Sequence, residues 1–502
     1  MQILKVMAKV AEIRDFAESP NGQALVVSIP DPVDLNEHAE ALPDEALPES
    51  SVSHPLLREI LDNIEPLDFR ERLELPDGEN LKLKHVFVLV VEEVLNVARR
   101  LNCGLCRKAD FIYLFNGEYW QQIQRDDLKT FLGEAAEKMS FDRWEARYFE
   151  NREKLFKQFL SDASLPDLKQ SGDRVLINLK NGTFEVNAGK GGIRDFNRQD
   201  FLTYQLPFEF EPSADCPKFR QFLDRVLPDA NVQKVLAEFF GYVFTRHLKL
   251  EKCLLAYGSG ANGKSVLFDV VNAIFGRENI SNFSLSNLRE EHNRALIADK
   301  LLNYGSEIKG NIEADDFKLM VSGEPIQARL KYGNSFFLTN HAKFAFNCNT
   351  LPKDVEHTEA YFRRFLIVPF EVTISESERN PNLAKEIIRE ELAGVFIWIL
   401  EGLNRLLEQG DFTQCEKVSQ AVSRFKQEND SVFLWLEENQ YRRSVQQFQP
   451  LSTLFQDYRN FCHQDGYRAL GKKNFSDRLK NNGFDVGRGN GGVTGAWIEK
   501  IA

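Results

Sequence analysis

The sequence predicts an α/β fold that is preceded by an α+β region and followed by a small winged-helix domain. A glycine-rich loop at residues 258–265 stands between an apolar run and a helical pattern. Strand-type and helix-type segments alternate over residues 250–375, as a parallel sheet requires. Near the C-terminus, three helical patterns precede a glycine-rich hairpin at 487–498. These three observations set the fold class.

The glycine-rich loop fits the pattern G-x-x-x-x-G-K-[ST] of a phosphate-binding loop. Its residues are Gly258, Ser259, Gly260, Ala261, Asn262, Gly263, Lys264 and Ser265. The preceding run, 253–257, predicts a buried strand, and the following run, 266–271, predicts a helix. Glycines let backbone N–H groups surround phosphate oxygens, and the helix N-terminus adds positive potential. We therefore expect Lys264 to reach the outer phosphates of ATP and the Ser265 hydroxyl to hold Mg²⁺.

Composition limits the class of protein. A chain of 502 residues is expected to form two to four domains, and 43% hydrophobic with 27% charged residues is an ordinary balance. No apolar run reaches the roughly 18 to 20 residues that a membrane-spanning helix needs. The first residues lack a signal-peptide core, and seven cysteines do not form a disulfide framework. We expect a cytoplasmic protein with no membrane partner.

The charge distribution is uneven. The formal net charge is −12, and residues 31–80 carry 15 Asp/Glu against 3 Lys/Arg. Residues 442–500 carry 10 Lys/Arg against 5 Asp/Glu, so the C-terminal domain is locally basic. A local basic face can bind a phosphate backbone whatever the total charge, although a solvated basic face stays open as the alternative. The candidate DNA-binding residues in this region are Lys472, Lys473 and Arg488.

Four segments follow from these patterns. The predicted divisions are an acidic, partly disordered segment at 1–85, an α+β domain at 86–217, a core at 218–410 that begins with helices at 218–249, and the winged-helix domain at 411–502.

Within these segments the sequence predicts particular elements. Asn-Gly pairs at 116–117 and 181–182, each between β-rich runs, predict two hairpins. Helices are expected near 85–101, 125–163, 218–247, 383–409, 432–439, 451–464 and 472–482.

Two polar residues follow candidate strands of the core. ATP hydrolysis needs an acid that polarises water and helps to hold the metal, and Glu307 follows the strand-like run 301–306. Asn349 ends the buried-strand pattern 344–349, where an amide can orient the attacking water or contact the γ-phosphate. We predict both as catalytic residues and Glu307 also as a Mg²⁺ ligand.

A pair of arginines and a basic hairpin complete the candidate site. Arg363 and Arg364 precede an apolar strand; they could form a solvated helix end, or supply a guanidinium to a neighbouring subunit's γ-phosphate. Arg329, Lys331 and Tyr332 lie around a hairpin turn at Gly333-Asn334 and combine charge with an aromatic face. That chemistry suits single-stranded DNA, and an ordinary exposed hairpin is the alternative.

The order of these motifs resembles the superfamily 3 helicase core of phage and plasmid primase-helicases, a group that includes the poxvirus primase-helicase. The phosphate loop, the strand before Glu307, the basic hairpin, Asn349 with Leu351-Pro352, and Arg363-Arg364 carry this resemblance. Asn181-Gly182, Cys216-Pro217 and Gly241-Tyr242 resemble the domain that precedes the helicase in that family. The resemblance spans about residues 90–500.

The resemblance implies an AAA+-like ATPase that forms a hexameric ring and moves 3′ to 5′ on single-stranded DNA. It assigns Lys264 and Ser265 to phosphate and Mg²⁺, Glu307 to water and Asn349 to the γ-phosphate. Arg364 or Arg363 would be the finger, and Lys331 would grip DNA in the pore. Expected partners are single-stranded DNA, a forked duplex, other copies of the chain, and a separate primase or replication initiator. The expected setting is a bacterial host of a phage, plasmid or other mobile element.

Two departures from the family pattern stand out. Many ATPases place an acid directly before the catalytic glutamate, whereas this chain has Ser306 there. No primase module is visible, so we expect a helicase without primase activity. Two other classes stay open: a DNA-binding ATPase for origin loading or defence without processive unwinding, and an ATP-dependent remodeller of protein or RNA.

Overall fold

The computed structural model describes residues 52–76, 78–165, 174–187, 190–305, 314–331, 333–352, 357–489 and 492–501. Some of the predictions fall outside these residues: the acidic segment up to residue 51, Ser306 with the catalytic candidate Glu307, the aromatic candidate Tyr332, and Asn490-Gly491 of the C-terminal hairpin. All structure described below belongs to one compact unit that begins at Val52.

The first described part is helical. Its helices are α1 (Pro55–Asp62), α2 (Phe69–Arg72), α3 (Leu83–Arg100), α4 (Arg125–Lys138), α5 (Arg143–Arg147) and α6 (Phe149–Asp162). The predicted helices near 85–101 and 125–163 are confirmed, the second as three helices. Residues 52–85 differ from the expected acidic segment, because Val52, Leu57 and Ile60 are buried in the core that α3, α4 and α6 share. This short apolar stripe was not predicted because the segment around it is rich in acidic residues.

Two antiparallel sheets of three strands lie before α4 and after α6 in the chain. The first consists of β1 (Gly104–Lys108), β2 (Phe111–Phe115) and β3 (Trp120–Ile123), and the second of β4 (Val175–Leu179), β5 (Gly182–Asn187) and β6 (Lys190–Arg194). Both predicted hairpins are confirmed: Gly117 and Gly182 have φ angles of 96° and 143°, which favour glycine. Strand β6 was not predicted.

Two helices, α7 (Pro217–Val226) and α8 (Ala230–Tyr242), lead into a five-stranded parallel sheet, as predicted. Its strands in chain order are β7 (Cys253–Tyr257), β8 (Ile280–Ser281), β9 (Leu302–Gly305), β12 (Lys343–Cys348) and β13 (Phe365–Pro369). The spatial order is β13-β7-β12-β9-β8. A separate hairpin of β10 (Ile326–Arg329) and β11 (Ser335–Leu338) lies between β9 and β12 in the chain.

Helices connect and cover the parallel strands. They are α9 (Lys264–Phe275), α10 (Glu291–Ala295), α11 (Ala314–Val321), α12 (Glu359–Phe362), α13 (Leu383–Glu390) and α14 (Leu392–Gln409). The prediction of one helix over 383–409 is wrong, because the helix is interrupted at Glu391 and forms α13 and α14 instead. The Glu391 carboxylate accepts hydrogen bonds from the backbone N–H groups of Lys218 (3.0 Å) and Phe219 (2.9 Å), and thereby caps α7.

The C-terminal part has its own core. After α15 (Glu416–Glu428), whose Phe425 packs against Phe365 of the parallel sheet, come α16 (Ser431–Glu438), β14 (Tyr441–Pro450), α17 (Leu451–Asp465), α18 (Lys472–Asn481), β15 (Val486–Arg488) and β16 (Thr494–Lys500). The separate core starts at Val432, although the predicted domain starts at residue 411. The three predicted helices and the glycine-rich hairpin are confirmed, and β14 adds a third strand.

Candidate functional site

The order of the parallel sheet brings the phosphate-loop candidate beside Asn349. Strands β7 and β12 are neighbours, with Tyr257 opposite Cys348 at their carboxyl ends. The next backbone N–H, that of Gly258, donates to the Cys348 carbonyl at 3.2 Å. Two motifs that are about 90 residues apart in the sequence therefore meet at one edge of the sheet.

The loop backbone curves in a way that glycine favours. Gly260, Ala261 and Gly263 have φ angles of 112°, 51° and 85°. Successive left-handed residues turn backbone N–H groups toward one concave side, which suits an anion. The segment after β13 braces this curve: Asn262 Nδ2 donates to the Phe370 carbonyl at 3.0 Å, and the Ile374 N–H donates to the Ala261 carbonyl at 2.8 Å. The loop is thus held in shape by the neighbouring strand.

Lys264 opens helix α9 and its side chain is buried in the loop. Its Nζ donates to the Gly258 carbonyl at 2.6 Å and to Asn262 Oδ1 at 2.9 Å. Burial lowers the pKa of Lys264 from its usual value, because removal from water disfavours the ammonium. Ser265 is exposed in the first turn of the same helix. A buried ammonium, a concave backbone and a helix N-terminus together fit a phosphate group.

Of the two catalytic candidates that follow β9 and β12, the structure describes only the one after β12. Asn349 is exposed directly after β12, beside the loop. Strand β9 pairs with β12 in parallel and ends at Gly305 on the same edge, while Glu307 lies outside the described residues. Tyr304 of β9 was missed by sequence reasoning; its ring stacks on Phe268 of α9 at 3.9 Å.

The paired arginines lie at the opposite edge of the sheet. They precede β13, whose first residue pairs with Cys253, the first residue of β7. A five-residue strand, about 16 Å long, therefore separates Arg363 and Arg364 from the candidate phosphate loop of the same chain. Both arginines lie 2.9 Å from Glu251 Oε2.

The two arginines differ in burial. The Arg363 side chain is 59% exposed and that of Arg364 is 8% exposed. Arg364 also donates to Ser322 Oγ at 2.9 Å and to the Ala360 carbonyl. Arg364 thus joins α11, α12 and the entry to β7, whereas Arg363 presents its guanidinium to solvent.

The predicted basic hairpin is confirmed as β10 and β11. Its inner side chains, Ile326, Ala328 and Leu338, are buried. The outer face carries Arg329, opposite Ser335, and Phe337, which is 70% exposed. Lys331 is exposed at the turn. The strand register determines that Phe337 faces outward, so sequence reasoning missed this residue.

The basic candidates of the C-terminal part are all exposed. Lys472 and Lys473 form the first turn of α18, and Arg488 ends β15 beside the glycine-rich turn. Phe475 and Leu479 on the other face of α18 are buried in the C-terminal core. The helix is therefore anchored through one face and presents its N-terminal lysines to solvent.

Among the residues that the structure describes, no group of three or more His, Cys, Asp or Glu side chains is arranged to bind a metal ion. No helix among those residues has the length and apolar character to cross a membrane.

Two family models match parts of this chain. Residues 98–228 match the family described as "D5 N terminal like", which covers β1 to α7. Residues 256–364 match a family of unknown function, DUF5906, which covers the phosphate loop, the hairpin, Asn349 and both arginines. Residues 229–255, which contain α8 and the first three residues of β7, lie between the two matches.

Two curated relatives carry helicase names. A protein of Acanthamoeba polyphaga mimivirus, named a putative helicase, is 23% identical over 249 residues, which are 47% of this chain and 25% of that protein. A protein of Invertebrate iridescent virus 3 with the same description is 23% identical over 251 residues, 46% of this chain and 26% of that protein. The chain thus spans about a quarter of the length of these relatives.

Among solved structures, one similar chain is the apo C-terminal region of NrS-1. It has 14% sequence identity and a TM-score of 0.49, with 80% of this chain and 98% of that chain covered.

Proposed function

We propose that this protein is an ATP-dependent DNA helicase that works as a ring on single-stranded DNA during replication of a phage, plasmid or other mobile element. The single observation that carries the proposal is the edge of the parallel sheet where the phosphate loop meets Asn349. The helicase names of the two viral relatives support the same class. The 3′ to 5′ direction and the hexamer follow from the family resemblance.

ATP and Mg²⁺ are the proposed cofactors. The curved backbone from Gly260 to Gly263 would bind phosphate oxygens, Lys264 would neutralise their charge, and Ser265 with Glu307 would hold the metal. Mg²⁺ in such a site neutralises the charge that develops on the transferred phosphoryl group. The sheet order β13-β7-β12-β9-β8 puts the first strand between the fifth and fourth in chain order, an arrangement that supports an AAA+-like core.

A ring is proposed because of where the arginines lie. Arg363 and the phosphate loop occupy opposite edges of one sheet, so the arginine of one subunit would serve the loop of its neighbour. Such a head-to-tail contact closes into a ring when the rotation between subunits is suitable. A guanidinium beside the γ-phosphate would stabilise charge in the transition state.

Two surfaces are proposed to bind DNA. The outer face of the β10–β11 hairpin offers Arg329, Lys331 and Phe337, which combine cations for phosphates with a ring for bases. In the C-terminal part the order helix, strand, helix, helix, strand, strand supports a winged helix. Lys472 and Lys473 would then contact DNA from α18, and Arg488 would do so from the turn region.

A second candidate function shares these features. The separate basic C-terminal part would also suit a DNA-binding ATPase that loads onto an origin or acts in defence without processive unwinding. The two functions differ in one measurable property, the displacement of a strand from a forked duplex.

The first experiment measures ATP hydrolysis with and without single-stranded DNA, beside unwinding of a duplex that carries a 3′ tail. We expect DNA to stimulate hydrolysis and unwinding to require the tail. Duplexes with a 5′ tail and with blunt ends are the controls. Hydrolysis without strand displacement on any substrate would favour the loading function, and the absence of hydrolysis would contradict both.

Lys331→Ala is expected to reduce the DNA-stimulated part of hydrolysis about tenfold, because each lost stacking or charge contact weakens grip on the strand. The measurement is the ratio of stimulated to unstimulated rate at several DNA concentrations. Lys84→Ala, at an exposed position on α3, is the matched control. An equal fall in the two rates for Lys331→Ala would point to a structural role for the hairpin turn instead.

A further inference from the structure

A large cleft lies at the amino edge of the parallel sheet, away from the phosphate loop. Its volume is about 1350 Å³, and its walls come from β1–β3, the segment around Arg198, the end of α8 and the starts of β9 and β12. Lys343 of this cleft begins β12, while Asn349 follows the other end of that strand. Six residues of strand, about 20 Å, therefore separate the cleft from the nucleotide site.

The charged side chains among the residues that line the cleft are predominantly basic: eight are Lys or Arg and three are Asp or Glu. This balance contrasts with the net charge of −12 for the whole chain. A cavity with one sign of charge and protein walls concentrates field lines and attracts ions of the opposite sign.

The three carboxylates are already engaged by the protein. Asp200 is paired with Arg194 at 2.8 Å, and Asp162 accepts from Gln158 at 2.8 Å. Asp299 accepts from the Tyr113 hydroxyl and from Asn340 Nδ2, the latter at 2.6 Å. Each acid therefore has a partner within the protein, and the cations outnumber the acids.

Several of those cations have no carboxylate partner. Within the described part of the chain, Arg198, Arg246 and Lys343 form no ion pair. Lys343 Nζ lies 4.1 Å from the centre of the Tyr242 ring. Burial and the nearby charge of Lys249 lower the pKa of Lys343 to about 8. Cations that line one cavity without carboxylate partners are what an anionic ligand would neutralise.

Aromatic rings stand at the rim of this cleft. Phe336 of β11 packs edge-on to Phe111 of β2 at 5.5 Å, and its neighbour Phe337 is 70% exposed. The same strand pairs with the one that carries Arg329 toward the hairpin turn. The hairpin surface therefore continues into the cleft.

We propose that this cleft is a second binding site for single-stranded nucleic acid, which it holds through backbone phosphates while bases contact the rings at the rim. Combined cations and exposed rings are the chemistry of sequence-tolerant single-strand binding. The inference rests on the proposed function for the identity of the strand as DNA. It adds a contact at the amino edge of the sheet, in series with the hairpin.

The test is the double variant Arg198→Glu with Arg246→Glu, and binding is measured by fluorescence anisotropy of labelled oligodeoxythymidylate without nucleotide. We expect Kd to rise about tenfold or more, and the slope of log Kd against log salt to fall by about 1.4, since each lost phosphate contact removes about 0.7. Arg198→Glu alone, at an exposed position, should give a smaller rise in the same direction. Melting temperatures check that the variants fold.

The matched control is Lys84→Glu with Lys157→Glu, which changes net charge equally at exposed positions outside the cleft. If the control and the cleft variant weaken oligonucleotide binding equally, or if neither weakens it, the cleft site is overturned. Unwinding by the wild-type protein would in that case leave the helicase proposal intact. Conversely, specific weakening by the cleft variant in a protein that fails to unwind would support the cleft and reject the helicase. The same measurement with labelled oligouridylate shows whether the protein prefers DNA or RNA, and the cleft variant should also weaken binding to this RNA.

Discussion

Lys264→Ala is expected to lower the rate of ATP hydrolysis by about a hundredfold to a thousandfold, the effect of losing one preorganised charge partner of the transition state. The residue is buried inside the loop, and its Nζ is held by Gly258 and Asn262 at the position that a phosphate would approach. Steady-state phosphate release at saturating ATP, with and without single-stranded DNA, measures the change.

The fold should survive this substitution. Burial lowers the pKa of Lys264, so in the folded state the charged ammonium is disfavoured at every pH below the usual lysine range. The buried ammonium lowers the stability of the folded state at low pH, and this penalty disappears as pH rises from the lowered pKa of the folded state toward the pKa of the unfolded chain. Alanine carries no such penalty at neutral pH. Alanine also loses the hydrogen bonds to Gly258 and Asn262, which opposes this gain, so we expect a melting temperature close to that of the wild type. Lys84→Ala serves as the control, and normal turnover by Lys264→Ala would reject the nucleotide site.

Elements with strong local signals were predictable from the sequence. Long apolar periodicities gave α3 and α14, and Asn-Gly pairs gave the two hairpins. Elements with weak local signals were not. Strand β6 has two glycines among five residues, and β14 is polar along most of its length. The break at Glu391 was also unpredictable, since glutamate continues a helix unless a distant backbone, here that of α7, requires its carboxylate.

The candidate site divides in the same way. The candidate phosphate loop is contiguous in the chain, so the spacing of its glycines and Lys264 was enough to predict it from the sequence. Its supports could not be identified in this way: Phe370 braces the loop from the end of β13, and Glu251 pairs with both arginines from the entry to β7. The basic cleft draws on segments from Arg99 to Lys343, so only the tertiary fold brings its cations together.

The burial difference between the two arginines leads to opposite expectations for their alanine variants. Arg364→Ala should destabilise the fold by about 2 to 4 kcal/mol, because Glu251 loses its buried partner and Ser322 loses a donor. That range is below the full cost of breaking a buried pair, since the Glu251 side chain is 32% exposed. Arg363→Ala removes a pair at the surface and should cost at most about 1 kcal/mol. Urea unfolding of both variants measures the difference.

Function should show the reverse selectivity. Arg363→Ala is expected to fold and bind ATP yet to lose most hydrolysis in the proposed ring, because its guanidinium is the more exposed of the two and is the one we propose to reach a neighbouring loop. Mixing it with Lys264→Ala should restore part of the activity from two inactive proteins. In a random equal mixture, about one interface in four joins an intact loop to an intact arginine.

The mixture also separates the alternatives for the finger. If Arg363→Ala hydrolyses ATP normally, the exposed arginine is not the finger, and Arg364 would have to leave Glu251 and Ser322 to act. If Arg363→Ala is inactive and the mixture stays inactive although both proteins co-assemble by size-exclusion chromatography, the arginine does not act between subunits. Recovery in the mixture, together with a stable Arg363→Ala fold, would tie the function of the ring to Arg363 and leave Arg364 as the residue that fixes the sheet edge from which it projects.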